Sequence, residues 1–172
     1  AYFDDYARAI DHVGTMKQIG GAPRPSVSIK LSALHPRYEV LQEQRVMEEL
    51  AERVLKLVRR ARPLGVALTI DAEEADRLEL SLKLFEKIYR DDSARGWDGL
   101  GLVVQAYSKR ALPVLGWLAA LAREVGDMIP IRLVKGAYWD SEIKLCQQKG
   151  LSGYPVFTRK EATDVSYLAC AR

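Results

Sequence analysis

Lys30, Asp71, Gln105, Arg132 and Lys135 are the residues whose types and spacing could do chemistry. Each stands at or near the end of a strand-like apolar run: SVSIKLSAL, VALTID, LGLVVQAY or IPIRLVKGAY. If the runs are neighbours in space, these side chains meet at one mouth holding three cations, one carboxylate and one amide. A cation drawn out of water needs a partner, so a positive surplus favours an anionic ligand such as a carboxylate, a phosphate or an electron-rich cofactor ring. Asp71 can hold one cation by an ion pair and leave the others for the ligand. Lys30 alone could instead be a Schiff-base nucleophile towards a carbonyl compound, although nothing adjacent in sequence offers the apolar pocket that would activate it. In the run Val134-Lys135-Gly136-Ala137-Tyr138-Trp139, a glycine between a lysine and aromatics lets backbone N–H groups approach a phosphate while a ring packs nearby; a tight strand-to-helix turn accounts for it equally well. Thr158, Arg159 and Lys160 place a hydroxyl and two cations at a helix start, another position that accommodates phosphate. His12, beside Asp11, reads as a surface residue, and His35, before Pro36, as a loop candidate for the site. Cys146 and Cys170 are not spaced for a metal, and no metal site is expected.

The elements that must position these residues alternate. Each strand-like run is followed by a helical pattern, so the chain reads β-α-β-α with parallel strands. Val27, Ile29 and Leu31 share one strand face and Ser28, Lys30 and Ser32 the other; Leu68 and Ile70 oppose Thr69 and Asp71; Leu102 and Val104 oppose Val103 and Gln105; Ile131 and Leu133 oppose Arg132 and Val134. Both faces of a parallel sheet are normally covered, so the polar face is expected to look at a ligand. Phe3, Tyr6, Ile10, Val13 and Met16 predict an amphipathic helix over residues 1–18, broken by Gly20-Gly21-Ala22-Pro23. Further stripes predict helices through Val46 to Val58, closed by Pro63-Leu64-Gly65, then Leu78 to Ile88, Leu112 to Val125, residues 141–148 and residues 160–172. The expected organisation is a leading helix and loop over residues 1–22 and four strand-helix units over residues 23–172, all in one domain.

At 172 residues, with 48% apolar and 28% charged residues, the chain can bury one sizeable core. A closed eight-stranded barrel takes roughly 250 residues. Four units are about half of one, and the chain stops at Cys170-Ala171-Arg172 inside a helical pattern. The fold expected is therefore a partial β/α (TIM-like) barrel with its site at the C-terminal strand ends; a complete small doubly wound sheet is the alternative. The net charge of +3 comes from interspersed acids and bases, with no basic stripe to argue for nucleic acid. Lys56, Arg59, Arg60 and Arg62 cluster where a helix ends, which suits the macrodipole. Cysteine usage places the chain by default in a reducing, cytoplasmic compartment, and no signal peptide or membrane-length apolar run is present.

Taken together, SIKLSALHPRYE, TIDAEEADRLELSL, VVQAYSKR, IRLVKGAYWDSEIK and GYPVFTRK resemble, in order and spacing, the proline dehydrogenase domain of the bacterial bifunctional proline utilization A flavoenzymes. The resemblance implies a distorted β/α barrel that binds FAD and oxidises L-proline to 1-pyrroline-5-carboxylate by hydride transfer to flavin N5. Electrons then pass to a quinone at the membrane surface. A cytoplasmic protein, peripheral at the inner membrane, is implied, with the rest of the barrel and an aldehyde dehydrogenase domain elsewhere in the parent chain. By resemblance, Lys30 holds the proline carboxylate, Asp71 pairs with substrate-binding arginines, and Arg132 lies beside the flavin N5; these three are the implied catalytic set. Leu133 and Tyr138 correspond to residues packing on the substrate ring. Gln105 corresponds to a flavin hydrogen-bonding residue, with Asp71, Ala72, Val103, Val134 and Phe157 also at the cofactor; Lys135, Gly136 and Ala137 follow its ribityl and pyrophosphate, and Trp139 and Thr158 its adenylate half. The family's strand before the opening helix, its three later strands, its threonine-histidine step and its last helix with paired carboxylate-binding arginines have no counterpart here. The segment alone is therefore expected to be inactive, with a Lys30-dependent barrel enzyme or a non-catalytic scaffold as alternatives.

Overall fold

The computed structural model describes residues 2–16 and 25–172. Helix α1, Tyr2–Thr15, buries Ile10 and leans Phe3, Tyr6 and Val13 on the core. The predicted break at Gly20-Gly21-Ala22-Pro23 lies outside the described residues. Strand β1 is only Val27–Ile29, and a single helical turn, α2, Leu31–Leu34, follows it. The alternation predicts a strand that continues through Leu31 and Ser32. Leu31 is indeed buried, at 1% exposure, but a helical turn buries it as well as a strand would.

A 3₁₀ turn at Val40–Gln42 leads into α3, Glu43–Arg45, a π-helical turn at Val46–Leu50, and α4, Ala51–Ala61. Helix α4 buries Val54, Leu55, Leu57, Val58 and Ala61, and carries Glu52 in its first turn and Arg59 and Arg60 in its last, matching the helix dipole. Gly65 ends the segment in the left-handed region at φ 63°. The arginines of the basic cluster are locally partnered: Arg59 Nε donates to Ser93 Oγ at 3.0 Å, Arg60 makes two 2.6 Å bonds to Asp11 on α1, and Arg62 reaches the Ser93 carbonyl at 2.9 Å. Strand β2, Leu68–Ile70, precedes α5, Leu78–Tyr89; β3, Leu100–Gln105, precedes α6, Ala111–Val125; β4, Ile131–Val134, precedes α7, Trp139–Gln148. Helix α8, Lys160–Cys170, closes the order.

The four strands are parallel and lie in sequence order, β1-β2-β3-β4. A doubly wound sheet reverses its strand order at a switch point. No reversal occurs here, which removes that alternative and leaves an arc of a β/α barrel. Val27, Ile29, Leu68, Ile70, Leu100, Leu102 and Val104 form one core with the buried faces of α4, α5 and α6. Their neighbours along each strand, Ser28, Thr69, Gly101, Val103 and Arg132, therefore turn to the opposite, lumenal face.

Gly101 is required by close packing: a Cβ there would lie 2.2 Å from the Pro130 carbonyl oxygen, a backbone atom that cannot swing aside. Gly101→Ala is expected to lower stability by about 1–3 kcal/mol, the usual range for forced overpacking, read as a reduced urea midpoint at unchanged m-value.

Candidate active site

Strand register assembles the site. Val27, Ser28 and Ile29 pair with Leu68, Thr69 and Ile70; Ile70 pairs with Leu102; Val103 and Gln105 pair with Arg132 and Val134. One step beyond the first two strands, Lys30 in extended backbone and Asp71, whose N–H donates to the Ile29 carbonyl at 2.9 Å, continue the alternation. Lys30, Asp71, Val103 and Arg132 thus form one lumenal layer, with Gln105 and Val134 in the layer above. These six, with Ala72, Lys135, Gly136, Ala137 and Tyr138, line a cleft of about 340 Å³, within the size range of small-molecule sites.

Arg132 is held at both arms: Nη1 donates to Ser28 Oγ at 2.7 Å and Nη2 to Asp71 Oδ1. It crosses from the fourth strand to the first, a reach that needs the curvature of a barrel wall. Lys30 is exposed and its ammonium has no ion pair among the described residues; its backbone N–H donates to Tyr6 Oη at 3.0 Å.

Three expectations change. Lys135 does not add a free cation to the mouth, because its Nζ pairs with Asp164 on α8 and holds that carboxyl below the usual carboxylate range. The charge surplus is therefore smaller than the residue count implied. His35 is not a loop ligand. It is 2% exposed, its Nδ1 accepts the Arg37 N–H at 3.2 Å, and its Nε2 donates to Glu49 at 3.2 Å, so it pins the segment after Lys30 to the helix behind. Leu133 faces away from Arg132 and packs against the core, outside the residues that line the cleft.

Gln105, 8% exposed, donates through Nε2 to the Glu73 carbonyl and accepts the Ala137 N–H, both at 3.0 Å. It joins the β2–α5 loop to the β4–α7 turn and keeps one amide hydrogen for a ligand. Gly136 has φ 144°, and a Cβ on it would lie 2.4 Å from the Tyr107 ring. Residues 155–157 zip onto residues 107–109: the Lys109 N–H donates to Pro155 O at 3.0 Å and the Phe157 N–H to Tyr107 O at 2.8 Å. Trp139 Nε1 then donates to Phe157 O at 3.0 Å, which brings Trp139, Phe157 and exposed Thr158 to the outer end of the same turn.

Sequence reasoning missed Glu142. It lies in the first turn of α7 beside Asp140, where acidic residues are ordinary dipole partners. Asp140 is exposed, whereas Glu142 is 3% exposed and accepts the Ala75 N–H at 2.6 Å. Burial pushes its carboxyl above the usual range, opposed by that N–H and reinforced by Asp76 and Glu74. Only tertiary contact distinguishes the two acids. Among the described residues there is no cluster of metal-ligating side chains and no helix long and apolar enough to cross a membrane.

A singly wound parallel sheet, with a fixed guanidinium-carboxylate pair and a glycine turn at its C-terminal edge, is the arrangement of a β/α-barrel site. Comparison with known proteins names the class more closely: the proline dehydrogenase family matches residues 1–172, and the chain belongs to that family. It is 54% identical over 173 aligned positions to the bifunctional protein PutA of Salmonella typhimurium, covering 100% of this chain and 13% of that protein. To PutA of Rhizobium meliloti it is 53% identical, covering 97% and 14%. A solved structure of proline utilization A with proline bound in remote sites superposes with a TM-score of 0.95 at 53% identity, over 99% of this chain and 18% of that one. The chain thus spans about an eighth of the length of these curated relatives.

Proposed function

We propose that this chain supplies part of the barrel wall of an FAD-dependent proline dehydrogenase, which oxidises L-proline to 1-pyrroline-5-carboxylate. The observation that carries the reading is the convergence of Lys30, Asp71, Arg132 and the Gly136 turn on one cleft in a member of this family. The residues fit the cofactor: Gln105 retains a donor, and Arg132 offers a fixed cation on the same cleft. Ala72, Val103, Gln105, Val134, Lys135, Gly136 and Ala137 would hold FAD along the cleft, with Trp139, Phe157 and Thr158 towards its adenylate. FAD, when bound, supplies the hydride acceptor.

The chain's own residues bind and orient. Lys30 takes the proline carboxylate by a charge-assisted hydrogen bond, and Tyr138 covers the ring. Asp71 holds Arg132 in place, so a positive charge is already organised where negative charge accumulates during oxidation. Proline is a secondary amine, so little beyond orientation and a deprotonated nitrogen is needed. Electrons leave to a quinone at the membrane surface of the cytoplasm. The remaining barrel strands, a second carboxylate contact and an aldehyde dehydrogenase domain belong to the rest of the parent chain, in which residues 1–172 form part of one barrel domain.

Anaerobic mixing of the FAD-loaded full-length protein with L-proline is the test: bleaching of the flavin band supports the reading, and an unchanged band overturns it. In the same assay Lys30→Ala is expected to raise the proline dissociation constant about 10- to 100-fold, the worth of one hydrogen bond to a charged group, with a smaller change in limiting rate. A variant with unchanged affinity would remove Lys30 from the carboxylate site.

A further inference from the structure

The cleft is bounded by two loops that come from different strands: residues 71–77 after β2 and residues 135–138 after β4. They are tied together twice. Gln105 bridges Glu73 and Ala137 from beneath, both at 3.0 Å. Glu142 closes the second tie from α7, accepting the Ala75 N–H at 2.6 Å. A carboxylate that is 3% exposed has left water for this bond, with Glu74 and Asp76 adding repulsion. Removing a carboxylate from water is costly, and the Ala75 N–H is the donor that offsets it.

The bond's consequence lies in what the β2–α5 loop carries. Asp71 at its start grips Arg132, and Glu73 accepts the Ser32 N–H at 3.0 Å and meets Arg77 at 3.1 Å. A shift of this loop therefore moves Asp71, the segment following Lys30 and the guanidinium together.

We infer that Glu142 is a positioning residue: through its bond to the Ala75 N–H it clamps the β2–α5 loop to α7 and sets the Asp71–Arg132 pair against the cleft. This rests on the proline-oxidising reading of the cleft. The Glu142 carboxylate bonds to the Ala75 N–H, and Glu142 meets Tyr138 only through the backbone of the first turn of α7, at 2.9 Å.

The test uses Glu142→Ala, Glu142→Gln and Ala75→Pro in the FAD-loaded full-length protein. Proline fits the first position of the 3₁₀ turn Ala75–Arg77, since Glu74 before it is extended at φ −63° and ψ 154°. It removes the donor while keeping Glu142 in the sequence, and its Cδ takes the place of the amide hydrogen, so the carboxylate has to withdraw and the clamp is opened from the loop side. Expected for Glu142→Ala are faster hydrogen exchange of the Ala75 amide, a shifted flavin absorption band, and a limiting rate of flavin reduction lower by about 10- to 100-fold, the scale of an ångström-sized misplacement. Glu142→Gln, which keeps an acceptor oxygen, should restore all three towards the parent values. Ala75→Pro should reproduce the rate loss even if Glu142→Ala does not fold. Glu142→Ala that merely melts at lower temperature, with parent rate and absorption band, overturns the inference; so does Ala75→Pro with a parent rate. If the parent protein is not reduced by proline at all, the functional reading fails, while the Ala75 exchange rate still decides whether the clamp exists.

Discussion

Arg132→Met lowers the limiting rate of flavin reduction by L-proline about 10²- to 10³-fold, while the proline dissociation constant changes far less. Donors placed where charge develops are worth about 2.7–4 kcal/mol of barrier when removed singly. On the proposed reading Arg132 is such a group: both of its arms are occupied, by Ser28 and Asp71, so the guanidinium is held before the reaction starts. An interaction that strengthens only as charge arrives appears in the rate rather than in ground-state binding. Methionine keeps much of the side-chain length but removes the charge and leaves Asp71 without its partner. Arg132→Lys keeps the charge and loses the two-armed geometry, and should fall between methionine and arginine. Anaerobic single-turnover reduction separates rate from affinity. A parent limiting rate combined with a raised dissociation constant would transfer Arg132 to substrate binding.

The second large effect is expected at Gly136. Its φ of 144° is a region that residues with a Cβ rarely enter, and its ideal Cβ position overlaps the Tyr107 ring at 2.4 Å. The ring has no room to yield. Tyr107 is 4% exposed, and its backbone is bonded on both sides, to Lys135 at 2.7 Å and to Phe157 at 2.8 Å. Gly136→Val should therefore incur backbone strain of about 1–3 kcal/mol and overpacking of about 1–3 kcal/mol. Because the same turn carries Ala137 to Gln105 and Trp139 to Phe157, the full-length protein should also lose flavin on gel filtration. A variant with the parent urea midpoint and full flavin content would show that this turn adapts.

Part of the site is legible in the amino-acid sequence. Asp71, Gln105 and Arg132 can be placed on one face because a strand alternates strictly, and the register of the three later strands keeps that alternation aligned. Lys30 joins them although its strand is shorter than the pattern suggests, because its backbone stays extended for one residue past β1. The pattern misjudges Leu31, since burial on the core side is common to a strand and a helical turn. Family resemblance assigns Leu133 to the substrate ring, whereas strand parity puts it with Ile131 on the face opposite Arg132.

The amino-acid sequence by itself determined the alternation of strands and helices, the polar lumenal face and the strand-end positions of Lys30, Asp71, Gln105 and Arg132, because these follow from short-range periodicity and turn chemistry. Tertiary structure alone decided which charges are spent. Lys135 is neutralised by Asp164, Arg132 reaches Ser28 on the opposite side of the arc, His35 is absorbed by Glu49, and Glu142 rather than Asp140 enters the interior. Those outcomes depend on distances between residues far apart in the chain. Periodicity reveals the face a side chain occupies, but only the packed sheet determines the partner it meets there.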